Sequence, residues 1–300
     1  MGERLLVTGA AGFIGRACLS ILSGGPFELH AVSRRPRPNG PATWHPCDLL
    51  DDAASDALIR KVRPTHLLHL AWIAEPGAFW TSPLNAQWLS ASRRLVSAFY
   101  REGGMRAVCA GSCAEYGRSD SPCREDATPL APATPYGAAK LAMYESLKDG
   151  ARGAGWAWAR IFFPYGPGEP AGRFIPTVIG GLLGNGRVEC THGEQVRDFV
   201  FVEDVARALA ALLRCEPSGD YNVGSGQGVR LRDVGFAAAA QIGGADRIDF
   251  GALPAPEHDA PVLVADIGKI GRDAAWSPHV NLDEGIRRTI AARISAGSAT

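Results

Sequence analysis

Residues 5–15 read Leu5-Leu6-Val7-Thr8-Gly9-Ala10-Ala11-Gly12-Phe13-Ile14-Gly15. Leu5, Leu6 and Val7 make a continuous apolar run, the pattern of a strand buried on both faces of a parallel sheet. Gly9, Gly12 and Gly15 follow at three-residue spacing. The first glycine permits a tight turn out of the strand. The second lets backbone approach a pyrophosphate, and the third lets a helix pack closely on the sheet. A helix beginning near Gly12 aims its free N–H groups and positive dipole end at those phosphates. The chain holds 36 glycines, so glycine spacing alone is weak evidence. Position supplies the rest: the run follows an N-terminal strand and precedes Ala17-Cys18-Leu19-Ser20-Ile21-Leu22. With Phe13 and Ile14 between its glycines, this turn is expected to hold a dinucleotide.

The second strand, Phe27–Val32, ends in Ser33-Arg34-Arg35. An NAD site usually places an acid there, and an NADP site a basic residue. Glu28 stands at the strand's start, roughly 15 Å too early at strand rise. Arg34 and Arg35 can grip a 2′-phosphate through forked, charge-assisted hydrogen bonds. NADP(H) is therefore favoured over NAD(H).

A second feature supplies chemistry. Thr134-Pro135-Tyr136-Gly137-Ala138-Ala139-Lys140 reads as a helix start, with Thr134 as N-cap and Pro135 first inside. Tyr136 and Lys140 then share one face, a turn apart. A nearby ammonium is expected to favour tyrosinate and lower the phenol pKa. Such a tyrosine exchanges a proton with a carbonyl or alcohol oxygen as hydride moves at carbon. Ser112 follows a strand at 107–110, at the sheet edge where these folds bind ligands. Six tyrosines and four lysines produce a Y-x-x-x-K pair by chance in roughly one chain in twelve. Its place 24 residues after a post-strand serine makes chance a poor account.

Lys+Arg and Asp+Glu both number 31, so charge points to neither nucleic acid nor a membrane surface. No apolar run reaches the length of a membrane span. Met1-Gly2-Glu3-Arg4 leads straight into a strand, without the look of a signal peptide. The seven cysteines are odd in number and scattered, with no C-x-x-C pair. Neither a metal site nor a disulfide framework is expected, and free thiols suit the cytoplasm.

Strands are predicted at Leu5–Thr8, Glu28–Ser33, His66–Leu70, Ala107–Ala110 and Trp156–Phe162. Helices fall between them at Gly12–Leu22, Asp52–Val62, Leu84–Arg101 and Pro135–Lys148. This alternation predicts an α/β fold: a Rossmann-like doubly wound parallel sheet with a smaller C-terminal lobe. The breaker cluster Pro164-Tyr165-Gly166-Pro167-Gly168-Glu169-Pro170 marks the lobe boundary. Residues 1–163 form the dinucleotide-binding domain and 164–300 mainly the substrate lobe, with segments near 199–225 and 262–270 returning to the first. Beyond the boundary, Phe174–Leu183 reads as a helix, Phe199–Val202 as a strand and Val205–Leu213 as a helix.

The chain resembles the extended short-chain dehydrogenase/reductases that act on nucleotide sugars. The resemblance covers nearly the whole length. It rests on TGAAGFIG (8–15), CDL (47–49), HLAW (69–72), GSCAEYG (111–117), PYGAAK (135–140), RIFFPYGPGE (160–169), QVRDFVFVEDVA (195–206), YNVGSG (221–226) and ADIGKI (265–270). It implies a Ser112–Tyr136–Lys140 triad and adenine contacts from Asp48 and Leu49. Leu70, Ala71 and Trp72 would line the cofactor's pyrophosphate and ribose, with Phe163 a further cofactor contact. Ser112, Cys113, Arg173 and Arg197 would meet substrate, Arg197 at its diphosphate; the plainer reading of Arg197 is a surface pair with Asp198. Family 4,6-dehydratases carry an Asp-Glu pair directly after the catalytic hydroxyl residue, where this chain has Cys113 and Ala114. Members that epimerise C3 and C5 place a cysteine at the position of Ala114, so Cys113 is one residue off and expected to be packed. Phe163 replaces an asparagine that meets substrate phosphate in many relatives. GSCAEYG and RIFF-YGP look closest to the CDP-abequose-synthase-like 4-ketoreductases.

The expected activity is thus NADPH-dependent reduction of the C4 keto group of a nucleotide-diphosphate 4-keto-6-deoxyhexose. An NAD-dependent nucleotide-sugar 4-epimerase is the alternative. A dinucleotide-sensing regulator is the non-enzyme rival, which an intact Ser-Tyr-Lys set opposes. A homodimer is expected through Leu84–Arg101 and Pro135–Lys148, as this family commonly pairs them with a symmetry mate. Leu84, Trp88, Leu95 and Phe99 recur at helical spacing, and can face either a partner or the protein's own sheet.

Overall fold

The structure, a computed structural model, describes residues 2–35, 40–151, 153–255 and 260–297. Chain order opens with β1 (Arg4–Thr8), α1 (Phe13–Leu22), β2 (Glu28–Ser33) and β3 (Thr43–Pro46). Next come α2 (Asp52–Val62), β4 (His66–His69), α3 (Leu84–Arg101), β5 (Arg106–Ser112), α4 (Pro135–Gly150) and β6 (Gly155–Ile161). The remainder is β7 (Phe163–Tyr165), α5 (Phe174–Leu183), β8 (Val188–Cys190), β9 (Val196–Phe201), α6 (Val202–Leu212) and β10 (Gly219–Val223). It closes with β11 (Gly228–Arg230), α7 (Leu231–Ile242), β12 (Ile248–Phe250), β13 (Val262–Leu263), α8 (Gly268–Ala274) and α9 (Leu282–Gly297).

Seven of these strands form one parallel sheet in the order β3-β2-β1-β4-β5-β6-β10. The order reverses between β1 and β4. That switch point opens a crevice beyond the strands' C-terminal ends, where such sheets bind ligands. The sheet is covered on both faces, and the two-residue period of its strands sorts the core. Leu5, Val7, Val108, Ala157 and Ala159 pack toward α1 and α6. Leu6, Leu67, Ala107, Cys109 and Trp158 pack toward α2, α3 and α4.

Local chemistry sets the helix starts that matter. Asp51 caps α2 by accepting the Ala54 N–H. Thr134 caps α4 by accepting the Gly137 N–H at 3.1 Å, with Pro135 just inside the helix. α3 and α4 lie side by side, joined by the Arg93 guanidinium, which donates to Ser146 Oγ at 2.7 Å and to Ala142 O at 3.2 Å. Leu95 and Phe99 are buried in the core under the sheet and Trp88 packs against it. Of the two readings of that stripe, the structure selects the protein's own sheet; Leu84 stays exposed.

A second core lies among α5, α7 and α9, around Ile179, Leu182, Phe201 and Ile286. Small sheets frame it: β7 and β13 both run parallel to β9, β11 runs antiparallel to it, and β8 pairs with β12. Among the described residues, no helix is long and apolar enough to cross a membrane.

Candidate active site

A cleft of about 740 Å³ runs over the switch point. Gly9, Gly12, Phe13, Ile14 and Gly15 line its floor, and Ser33, Arg34, Asp48 and Leu49 one end. Leu70, Ala71 and Trp72 form a wall facing Ser112, Cys113, Tyr136 and Lys140. Phe163, Arg173 and Arg197 complete the far side. The structure thus brings together every site residue expected from the sequence except Arg35, which is exposed and absent from the lining.

The floor is set by backbone. Gly9 turns with φ +65°, and its carbonyl accepts the Gly12 N–H at 2.9 Å. The first-turn N–H groups of α1 face the cleft without intrahelical acceptors, an arrangement that favours an anion. Arg16 braces the turn, donating to Ala11 O at 3.2 Å and to Gly168 O at 3.1 Å. The switch point is pinned by a buried chain. Thr8 Oγ1 lies 2.8 Å from His69 Nδ1, and His69 Nε2 lies 2.8 Å from Ser92 Oγ. Burial pushes His69 down to about 3, so it is a neutral strut. The residues present fit a dinucleotide: a glycine cradle, a helix N-terminus, and Asp48 and Arg34 at one end of the cleft.

The Ser-Tyr-Lys set comes from β5 and α4. Ser112 ends β5, and its Oγ accepts the Ala114 N–H at 3.2 Å. Tyr136 packs edge-on to Phe79 and Trp80, with ring centroids 4.8 and 5.7 Å away, and donates its backbone N–H to Trp80 O at 3.1 Å. Lys140 is 4% exposed. Its Nζ donates to Ala110 O at 2.8 Å and sits 4.0 Å above the Trp72 ring, but 5.9 Å from the Tyr136 ring centre.

This geometry corrects one expectation. Burial raises the Tyr136 pKa, with the Ser112 side chain acting in the opposite sense, and the phenol stays protonated. The ammonium expected to lower it is directed at a carbonyl and an indole instead. Burial also lowers Lys140 to about 8, with Glu115 and Cys109 pulling it back up.

Cys113 lines the cleft but is 6% exposed, packed near Cys123 and Phe162, and burial pushes its thiol up to about 12. It is a packed thiol, not a thiolate. Arg197 and Asp198 are not a surface pair. Asp198 is fully buried and accepts Ser225 N and Ser225 Oγ, both at 2.6 Å, and Gly226 N and Ala265 N, both at 3.0 Å. Arg197 is 3% exposed, with its guanidinium 5.4 Å from the Phe163 ring centre. Asp198→Ala is expected to destabilise the protein by at least about 2–3 kcal/mol, since buried donors lose a charged acceptor. Denaturant melts check this; a wild-type midpoint would show that the knot holds nothing.

Among the lining residues not read as site residues from the sequence are Phe79, Trp80, Phe199 and Glu169. Phe79 and Trp80 come from a loop with no periodicity to betray it. Glu169 lies within the breaker cluster 164–170, the one signal that pointed there. Burial pushes its carboxyl up to about 8, with Arg173 opposing, and its buried Oε2 has no hydrogen-bond partner within the protein. Among the described residues no His, Cys, Asp or Glu cluster suits a metal ion.

Comparison with known proteins places this geometry. Residues 5–224 match the model of the NAD dependent epimerase/dehydratase family. CDP-abequose synthase of Salmonella typhimurium is 34% identical over 138 residues, 44% of this chain and 46% of that protein. UDP-glucose 4-epimerase of Rhizobium leguminosarum bv. trifolii is 27% identical, covering 95% of this chain and 96% of that one. The solved structure of MoeE5 in complex with UDP-glucuronic acid and NAD superposes with a TM-score of 0.87 at 30% identity, covering 98% of this chain and 100% of that one. The match spans the glycine turn, the Ser-Tyr-Lys set and β10, the last strand of the parallel sheet: this chain is an oxidoreductase-type enzyme and belongs to the NAD dependent epimerase/dehydratase family.

Proposed function

We propose that the protein reduces the C4 keto group of a nucleotide-diphosphate 4-keto-6-deoxyhexose, using NADPH. The observation that carries this reading is Tyr136 beside Ser112 in a cleft where the two positions directly after the serine, Cys113 and Ala114, hold no carboxylate. A dinucleotide held over Gly9, Gly12 and Gly15 would supply the hydride to carbon. Tyr136 Oη gives its proton to the C4 oxygen, and the Ser112 hydroxyl orients that oxygen by hydrogen bonding. Lys140 keeps a positive charge beneath the site, 4.0 Å over the Trp72 ring, where it would anchor the ribose of a bound dinucleotide. Arg173 and Arg197 bind the substrate's diphosphate, and Phe163 and Phe199 wall out water. Dehydration needs a carboxylate pair, and the nearest acid after Ser112, Glu115, is fully buried and off the cleft lining. The lobe built on α5, α7 and α9 serves as the substrate side. A homodimer through the outward faces of α3 and α4 belongs to the same reading, and sedimentation at micromolar concentration checks it.

The 4-epimerase reading is second. It is favoured by the full-length likeness to UDP-glucose 4-epimerases and by the NAD in the MoeE5 structure. Both readings need the same three side chains; they differ in whether reduced dinucleotide is consumed. Incubation with NADPH and 4-keto-6-deoxy sugars on CDP, dTDP, GDP and UDP is expected to consume NADPH stoichiometrically with one of them. Conversion of a UDP-hexose with no net change at 340 nm would replace it with the epimerase.

Cofactor choice has its own test. Arg34, on the cleft lining beyond β2, supports a 2′-phosphate contact. Arg34→Ala is expected to weaken NADPH by roughly tenfold and leave NADH nearly unchanged, the loss of one charge-assisted pair. Fluorescence titration measures it, and equal losses for both dinucleotides would refute the contact.

A further inference from the structure

Behind Ser112 lies a buried carboxylate that the cleft does not expose. Glu115 is fully buried in the turn that follows β5. Its Oε1 accepts the Ser112 backbone N–H at 2.7 Å. Its Oε2 accepts Trp158 Nε1 at 2.9 Å and Arg160 Nε at 2.8 Å. Arg160, also fully buried, pairs onward with Asp220, and Asp220 with Lys269 Nζ at 3.3 Å. Gly111 makes the close approach possible: a Cβ there would stand 2.8 Å from Glu115 Oε1 and 2.3 Å from Trp158 Nε1.

We propose that Glu115 is a positioning residue for the catalytic set: one oxygen fixes the backbone of Ser112, two residues along β5 from the Ala110 carbonyl that holds Lys140 Nζ, and its buried charge supports that ammonium. A purely structural partner of Arg160 needs neither feature. Here the same carboxylate that meets Arg160 holds the residue that orients the reacting oxygen. Burial pushes the Glu115 carboxyl up, while Arg160 and the donors on Ser112 and Trp158 pull it back. All of those are donors, so the carboxylate is the form that satisfies them. Around Lys140 the titratable neighbours are His69 on β4, Cys109 on β5, Tyr136 on α4 and Glu115. His69 is neutral, and the thiol and phenol are pushed up by burial, which leaves Glu115 as the anion of that group. The inference rests on the Ser-Tyr-Lys reading above, not on which sugar is reduced.

The test is Glu115→Gln, which keeps an acceptor for Ser112 but loses the charge, beside Glu115→Ala, which loses both. Only four lysines occur in the chain. Lysine labelled with ¹³C therefore lets NMR follow the Lys140 titration without any substrate. E115Q is expected to lower that midpoint by about one unit. With whichever nucleotide sugar the wild type converts, E115A is expected to lower kcat by roughly tenfold or more, and E115Q by less, with dinucleotide affinity unchanged. If either single variant fails to fold, the Glu115→Gln/Arg160→Met double variant removes both buried charges together. It is then expected to show the reduced kcat with intact dinucleotide binding. An unmoved Lys140 midpoint, together with wild-type kcat in folded variants, would overturn the proposal. A wild type inactive on keto sugars but active on another nucleotide sugar overturns the reductase reading alone.

Discussion

Tyr136→Phe is expected to lower turnover by about 10²–10⁴-fold while leaving dinucleotide affinity nearly unchanged. The ring is held by Phe79 and Trp80, and its backbone by Trp80 O, none of which uses the hydroxyl. Phenylalanine keeps that packing and removes the proton. Because burial raises the phenol pKa, the wild-type hydroxyl is protonated throughout the neutral range. Its ionisation therefore does not set the alkaline side of the pH profile. Lys140 is expected to: burial holds it down to about 8, so it is an ammonium below that pH and loses its charge above it. The profile of kcat/KM reports the free enzyme. It is expected to fall on the alkaline side near pH 8. Steady-state rates across pH, with a dinucleotide titration of each protein, test both statements. A Tyr136→Phe protein with wild-type turnover would remove the tyrosine from the chemistry.

The parts of this site legible in the sequence are those with local spacing. Gly9, Gly12 and Gly15 sit within one turn, and Tyr136 and Lys140 within another, so period and chemistry coincide in a short window. β1 read correctly because Leu5, Leu6 and Val7 at its centre are apolar and buried on both faces. β3 was not read: it is four residues long, ends in Pro46, and gains its order only by pairing with β2. β10 escaped for a similar reason. Gly219-Asp220-Tyr221-Asn222-Val223 has no clean alternation, because Asp220 and Asn222 point to buried partners, Arg160 and the Cys123 carbonyl. The tyrosine's protonation was misread because sequence spacing puts Lys140 one turn away but cannot say that its ammonium turns to Ala110 O and Trp72. The surface pair of Arg197 with Asp198, the plainer alternative in the sequence, is excluded because the four donors to Asp198 lie 27 to 67 residues away in sequence and bury it.

The glycine turn allows a sharper test, because two of its glycines are required for different reasons. At Gly15 a Cβ would lie 2.2 Å from Gly9 O and 2.8 Å from the Ala10 Cα, all backbone of the tight turn. Backbone there cannot yield without opening the turn, which the Gly9 φ of +65° and the Gly12 N–H to Gly9 O bond hold closed. Gly15→Ala is therefore expected to cost about 3 kcal/mol or more, the upper range of overpacking, and to abolish dinucleotide binding. Gly12 is different. Its φ of −74° suits any residue, and the nearest atom to an added Cβ is Gly9 O at 3.1 Å. The protein itself leaves nearly enough room for that methyl group. What it obstructs is the approach of a phosphate to the start of α1. Gly12→Ala is expected to melt close to the wild type yet bind dinucleotide at least tenfold more weakly, the cost of about 1.4 kcal/mol of lost contact. Thermal melts and fluorescence titrations on the two variants separate the roles. If Gly12→Ala binds dinucleotide as the wild type does, the phosphates do not lie over this turn, and the assignment of the cleft floor fails with them.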